Sequence, residues 1–196
     1  MKTAGVEFSE KRIALSTDQT KTQLKPYFSD YKVPVLMDKD RMIWDSLAIL
    51  EYVAENYTDS MGWPTDPTAR GVARSVSAEM HSSFFALRSE LPMNCRKRYD
   101  TFSISSDVKK DIDRIKKVWR YCKQKFSQQG PWLFGNFCIA DAMFAPVCFR
   151  FYTYNVSLIG FERDYVETML SHPHIVEWKE AAQKEKEILE AFEVVQ

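Results

Sequence analysis

Between Lys32 and Ala54 the apolar pattern changes twice within a few residues, and that change constrains the fold more than any bulk property. Lys32-Val33-Pro34-Val35-Leu36-Met37-Asp38 reads as an apolar strand opened by a proline, since a strand proline belongs at an edge, a start or a bulge. Lys39-Asp40 is a polar two-residue turn, and Arg41-Met42-Ile43-Trp44 is a second short strand, so the segment is a β-hairpin. Leu47, Ile49, Leu50, Val53 and Ala54 then follow at near-helical spacing, with Asp45 or Ser46 as the N-cap. A helix therefore starts where the hairpin ends.

The composition narrows the possible partners. With 27 Lys plus Arg against 27 Asp plus Glu, no net field draws the chain toward nucleic acid or an anionic membrane. The basic residues Arg96-Lys97-Arg98, Lys109-Lys110 and Lys116-Lys117 are interspersed with acids and read as solvated faces. No apolar run has the length of a membrane span, and Met1–Gly5 lacks the apolar core of a signal peptide, so a cytoplasmic protein is expected. Cys95, Cys122, Cys138 and Cys148 are too widely spaced for a zinc site or a dithiol centre, and reduced thiols are the expectation.

Residues 56–67 gather Asp59, Ser60, Gly62, Pro64, Asp66 and Pro67 and read as a linker, dividing a first domain at 1–58 from a second at 66–196. Asp66-Pro67 supplies an N-cap and a proline at the first helical position. The stripe Ala73, Val76, Met80, Phe84, Leu87 and Leu91 predicts one long helix ended by Pro92. Val108, Ile112, Ile115, Trp119, Cys122 and Phe126 predict a second, capped by Ser106 or Asp107 and stopped at Gly130-Pro131. From Cys138 to about Tyr154 the chain is apolar almost all round, the mark of a central buried helix. Two more helices, near 161–171 and 175–192, flank His172-Pro173, so the second domain is all-α.

The run Trp44-Asp45-Ser46-Leu47-Ala48-Ile49-Leu50-Glu51-Tyr52, with Val33-Pro34 before it, resembles the thioredoxin-like domain of glutathione S-transferases. Gly135-Asn136-Phe137-Cys138-Ile139-Ala140-Asp141 is similar to the capping box that opens the buried helix of that family, with Cys138 where the family has Ser or Thr. Further likeness runs through Trp63-Pro64, Asp66-Pro67, Ala69-Arg70, residues 77–82 and residues 91–96, and points to a bacterial, zeta-like group. The resemblance extends from Ala4 to nearly the end of the chain. It implies an α/β plus all-α fold: a truncated thioredoxin-like domain, then a helical glutathione-transferase domain.

The resemblance also implies a site. Pro34 is expected to be cis, with the N–H and C=O of Val33 offered to the cysteinyl part of glutathione. Asp45 and Ser46 are expected to hold its γ-glutamyl end, Ser46 through its hydroxyl and N–H, and Asp45 near the ammonium. A carboxylate is favoured at a helix N-terminus. The family's first strand and its catalytic Ser or Tyr have no counterpart in this sequence, which takes up the pattern at residues 4–8 as a helix end and 11–15 as the second strand. No catalytic residue is assigned, and the inner strands are expected to lack a ladder partner. The implied reaction is addition of the glutathione thiol, as co-substrate, to a small electrophile in an apolar cleft, with Met80, His81, Phe84 and Phe85 as candidate lining. A non-catalytic binding protein of the same fold and a glutathione-dependent cis-trans isomerase of the maleylacetoacetate type are the alternatives. Homodimerisation is implied by the resemblance alone, with no nucleic-acid or membrane partner.

Overall fold

The computed structural model describes residues 1–58, 62–127 and 129–194, which fall into two compact units, Met1–Trp63 and Pro64–Gln196. Asp59 and Ser60 of the expected linker lie outside the described residues.

The first unit begins with a single 3-10 turn, Lys2–Ala4, closed by Gly5 at φ +67, where a side chain would be strained. Helix α1 is short, Thr20–Leu24, and strands β1 (Val35–Asp38) and β2 (Arg41–Trp44) form the hairpin. The pairs Val35 with Trp44, Leu36 with Ile43, Met37 with Met42 and Asp38 with Arg41 fix its antiparallel register. Lys39 has φ +56, the left-handed geometry a two-residue hairpin demands of its first turn residue. Helix α2, Ser46–Tyr57, follows directly. At the turn end of the hairpin Tyr52 donates to Asp38 at 2.5 Å and accepts from Arg41 at 2.9 Å, tying α2 to both strands.

The expected strand at 11–15 is not a strand. Lys11, Arg12 and Leu15 are exposed and no strand lies beside them among the described residues. Backbone groups in water are already hydrogen-bonded, so this stretch escapes the burial penalty that an unpaired inner strand would suffer. Among the described residues the sheet of this unit has two strands.

In the second unit α3 (Pro67–Ser82) is capped by Asp66, whose carboxylate accepts from Ala69 N at 2.7 Å. The predicted long helix ends here. Phe84 turns left-handed at φ +60, and α4 (Phe85–Glu90) starts anew, with the Asp111 carboxylate accepting from Leu87 N at 3.0 Å. The apolar stripe survives the break, because Phe84, Leu87 and Leu91 are all still buried. Burial period alone could not reveal a turn that keeps the same face inward.

Helix α5 (Ser106–Phe126) is capped by Ser105, one residue ahead of the expected caps. Helix α6 (Ile139–Thr153) is the central one: Met143, Phe144, Val147, Cys148, Phe149 and Phe151 are buried around its circumference. Trp119 of α5 fills the space beside it, with ring centroids 5.8 Å from Phe144, 5.4 Å from Phe151 and 4.8 Å from Tyr165. Tyr165 belongs to α7 (Phe161–Ser171), and α8 (Pro173–Lys184) follows with Pro173 at its first position. The helix expected to reach residue 192 stops at Lys184. Beyond it Arg96 donates to the carbonyls of Glu185 and Glu187, and Tyr99 to that of Val194, so side chains take up carbonyls that a continuing helix would have used.

Candidate functional site

The hairpin register decides what can meet what in the first unit. Because Val35 pairs with Trp44, the residues just before β1 and just after β2 emerge at the same end of the ladder. Those residues are Val33-Pro34 and Asp45-Ser46. The Val33-Pro34 peptide is cis. Val33 is 48% exposed, and the loop leading to it is closed by the buried Ser29, whose hydroxyl donates to Lys32 O at 2.7 Å while Lys32 N donates to Ser29 O at 3.0 Å. Among the described residues neither the N–H nor the C=O of Val33 has a hydrogen-bond partner.

Opposite it, Asp45 is the N-cap and Ser46 the first helical residue. Asp45 Oδ1 accepts from Leu47 N at 2.9 Å and from Ala48 N at 3.3 Å, and its carbonyl accepts from Ile49 N at 2.9 Å. Its backbone sits at φ +76 and ψ 130, a costly conformation for a residue with a Cβ. The helix start therefore has three N–H groups engaged and one left over. Among the described residues the Ser46 N–H and hydroxyl have no partner. Two donors on Ser46 and a donor and acceptor on Val33 thus gather at one end of the hairpin, beside the positive pole of a helix. This arrangement can take an extended peptide-like ligand that carries a carboxylate.

The candidate lining residues belong to the second unit and differ in access. Met80 and Phe84 are buried in its packing, His81 is half-buried, and Phe85 is 73% exposed. The thiols are poor nucleophiles: burial pushes Cys95, Cys138 and Cys148 up from the ordinary thiol value, and Cys122 to about 12. Among the described residues no group of three or more His, Cys, Asp or Glu side chains is placed to hold a metal ion.

Residues 1–55 match the family model described as glutathione S-transferase, N-terminal domain. The first unit thus resembles the N-terminal domain of glutathione S-transferases. A probable maleylacetoacetate isomerase of Caenorhabditis elegans is 35% identical over 72 residues, 37% of this chain and 34% of that protein. A stringent starvation protein A homolog of Haemophilus ducreyi is 22% identical over 138 residues, 70% of this chain and 59% of that one. The chain thus spans between a third and three fifths of these relatives. Among solved structures, a glutathione transferase homolog from Burkholderia with bound glutathione aligns over 94% of this chain and 88% of its own, with TM-score 0.66 and 20% identity. A Tau class glutathione S-transferase from mango aligns over 92% and 86%, with TM-score 0.65 and 18% identity. The transferase fold thus extends through the helical unit as well.

Three features escaped the sequence reading. Tyr165 donates to the buried Asp141 at 3.0 Å, from another helix. The Tyr52–Asp38–Arg41 triad joins helix and hairpin. Arg150 interrupts the apolar circumference of α6, and that interruption was visible in the sequence as the one charge between Asp141 and Tyr154.

Proposed function

We propose that this chain binds glutathione at Val33, Pro34, Asp45 and Ser46 and acts as a glutathione S-transferase, adding the bound thiol to small electrophiles. The observation that carries the reading is the gathering of unpartnered polar groups on Val33 and Ser46 at one hairpin end. The backbone of Val33 pairs in strand fashion with the cysteinyl residue. The Ser46 N–H and hydroxyl hold the γ-glutamyl carboxylate at the start of α2, and Asp45 keeps that helix start in place. Bound glutathione in the Burkholderia homolog supports the ligand. No side chain of this chain is assigned as the group that lowers the thiol pKa. Met80, His81 and Phe84 remain the candidates for the electrophile, with the exposed Phe85 beside them. The protein works in the cytoplasm as a homodimer, and no helix among the described residues is long and apolar enough to cross a membrane.

Calorimetric titration of the chain with glutathione, paired with conjugation of an aryl halide, tests both halves. Binding that is lost in Ser46→Ala and conjugation above the uncatalysed rate are expected. No heat at millimolar glutathione, with an unmoved melting temperature, would defeat the reading. Likeness to the probable maleylacetoacetate isomerase supports a second reading, a glutathione-dependent cis-trans isomerase. It requires turnover of a maleyl diketo acid without loss of free thiol.

A further inference from the structure

One residue joins β2 to α2. Strand β2 ends at Trp44 and α2 begins at Ser46, so the direction of the helix relative to the hairpin hangs on the two dihedral angles of Asp45. Those angles, φ +76 and ψ 130, lie where a residue with a side chain is strained. A strained joint keeps its geometry only where surrounding contacts fix it. The cap bonds from Asp45 Oδ1 run to Leu47 N and Ala48 N, which travel with the helix and do not tie it to the hairpin.

A tie lies at the other end. From Ser46 to Tyr52 the helix runs back about 9 Å, close to the roughly 10 Å that β1 covers from Val35 to Asp38. Tyr52 thus comes level with the turn, where Asp38 and Arg41 stand opposite one another as the last pair of the ladder. Its hydroxyl donates to Asp38 Oδ2 at 2.5 Å and accepts from Arg41 Nη1 at 2.9 Å, so one oxygen bridges both strands. Arg41 Nη1 also lies 3.9 Å from the same carboxylate. Hydrogen bonds to charged partners are the stronger kind, and the one from Tyr52 holds the Asp38 carboxyl below its ordinary pKa.

We propose that Tyr52 is a positioning residue of the glutathione site: its bridge at the turn end holds α2 at the angle that keeps the Ser46 N–H and hydroxyl beside the backbone of Val33 at the opposite end. The inference rests on the glutathione reading of Val33 and Ser46. A phenylalanine at position 52 keeps the ring and removes the bridge. The helix can then relax about Asp45, and a displacement of about 1 Å at Ser46 is enough to spoil a multipoint contact.

Calorimetric titration of the full chain with glutathione, carried out well below its melting temperature, tests the assignment. Tyr52→Phe is expected to bind several-fold more weakly than the wild type. Asp38→Ala should match it, and Asp38→Asn, which keeps an acceptor for the hydroxyl, should bind as the wild type does. Val53→Ala opens a cavity on the buried face of the same helix and is expected to lower the melting temperature while leaving glutathione affinity unchanged. That contrast separates positioning from stability. Equal affinity in Tyr52→Phe and the wild type, or weakening in Val53→Ala in proportion to its lost stability, would overturn the role of Tyr52 and leave the glutathione reading standing. A wild type that gives no heat would defeat that reading and this one together. Should Tyr52→Phe not fold, the Asp38 pair decides: an Asp38→Ala chain that binds as tightly as Asp38→Asn overturns the proposal.

Discussion

Of the helices that begin at an aspartate-assisted cap, α6 and α2 differ in whether the start is closed. At α6 the Asp141 carboxylate is fully buried and accepts from Cys138 N at 2.9 Å, from Leu133 N at 3.2 Å and from the Tyr165 hydroxyl at 3.0 Å. Every donor there points into the protein. At α2 the Asp45 carboxylate serves the second and third N–H groups, while the first, on Ser46, is left open. The same device answers every donor at one helix start and leaves one unanswered at the other. What separates them is burial and the number of donors left unanswered.

The largest test of this contrast is Asp141→Ala. It leaves two backbone N–H groups and a tyrosine hydroxyl buried without an acceptor, at about 1–3 kcal/mol each. A loss of about 3 kcal/mol or more in urea unfolding is expected, and a loss under about 1 kcal/mol would mean that the cap is dispensable.

Next in size is a pH dependence that belongs to the same residue. Burial raises the Asp141 pKa from 3.8 to about 6, so between those values the folded chain holds a proton that the unfolded chain has released. The stability contributed by this group is therefore fully present below 3.8 and is lost as pH rises through about 6, by up to about 3 kcal/mol. Asp38 and Glu193 act in the opposite sense: their pKa values are lowered by hydrogen bonds from Tyr52 and Lys97, and their contributions fade as pH falls. Comparing the wild type with Asp141→Asn at pH 4.5 and 7.5 isolates the term, and the wild type should lose ground to the variant at the higher pH.

At the open helix start the effects are smaller and of a different kind. Asp45→Ala removes the cap and keeps the strained backbone, so a loss of about 1 kcal/mol is expected. Asp45→Gly should lose less, since glycine tolerates positive φ. Ser46→Ala should leave the melting temperature nearly unchanged and abolish glutathione binding, which separates ligand from cap. A Ser46→Ala chain that melts as low as Asp45→Ala would erase the contrast between the two starts. The smallest expected change is a gain. Cys138 holds a position at α6 where a thiol accepts weakly from the N–H groups of Ala140 and Asp141, and Cys138→Ser should raise stability by up to about 1 kcal/mol in a thermal melt.

Both caps were legible in the sequence because a cap is a local object, an acid within three residues of the helix-start N–H groups it serves. The hairpin was legible for a similar reason, since its two strands and turn lie within eleven residues of one another. What could not be read depends on distant neighbours. Whether residues 11–15 become a strand is decided by what lies beside them, and their β-like composition carries no information about that. The break at Phe84 hides because a left-handed turn kept the apolar stripe in phase. Tyr165 reaches Asp141 across 24 residues of sequence, a meeting that only the packing of α7 on α6 arranges. The residue types of the proposed glutathione site were legible, while which of Asp45 and Ser46 caps the helix required coordinates.

The way residues 185–194 are fastened has a consequence for how freely that tail can vary. Arg96 and Tyr99 grip it through the carbonyl oxygens of Glu185, Glu187 and Val194, groups that every amino acid supplies. A clasp of that kind is blind to the side chains it holds. The carbonyl clasp itself makes no demand on side-chain identity, whereas Glu193 is held through its own carboxylate by Asn94, Arg96 and Lys97.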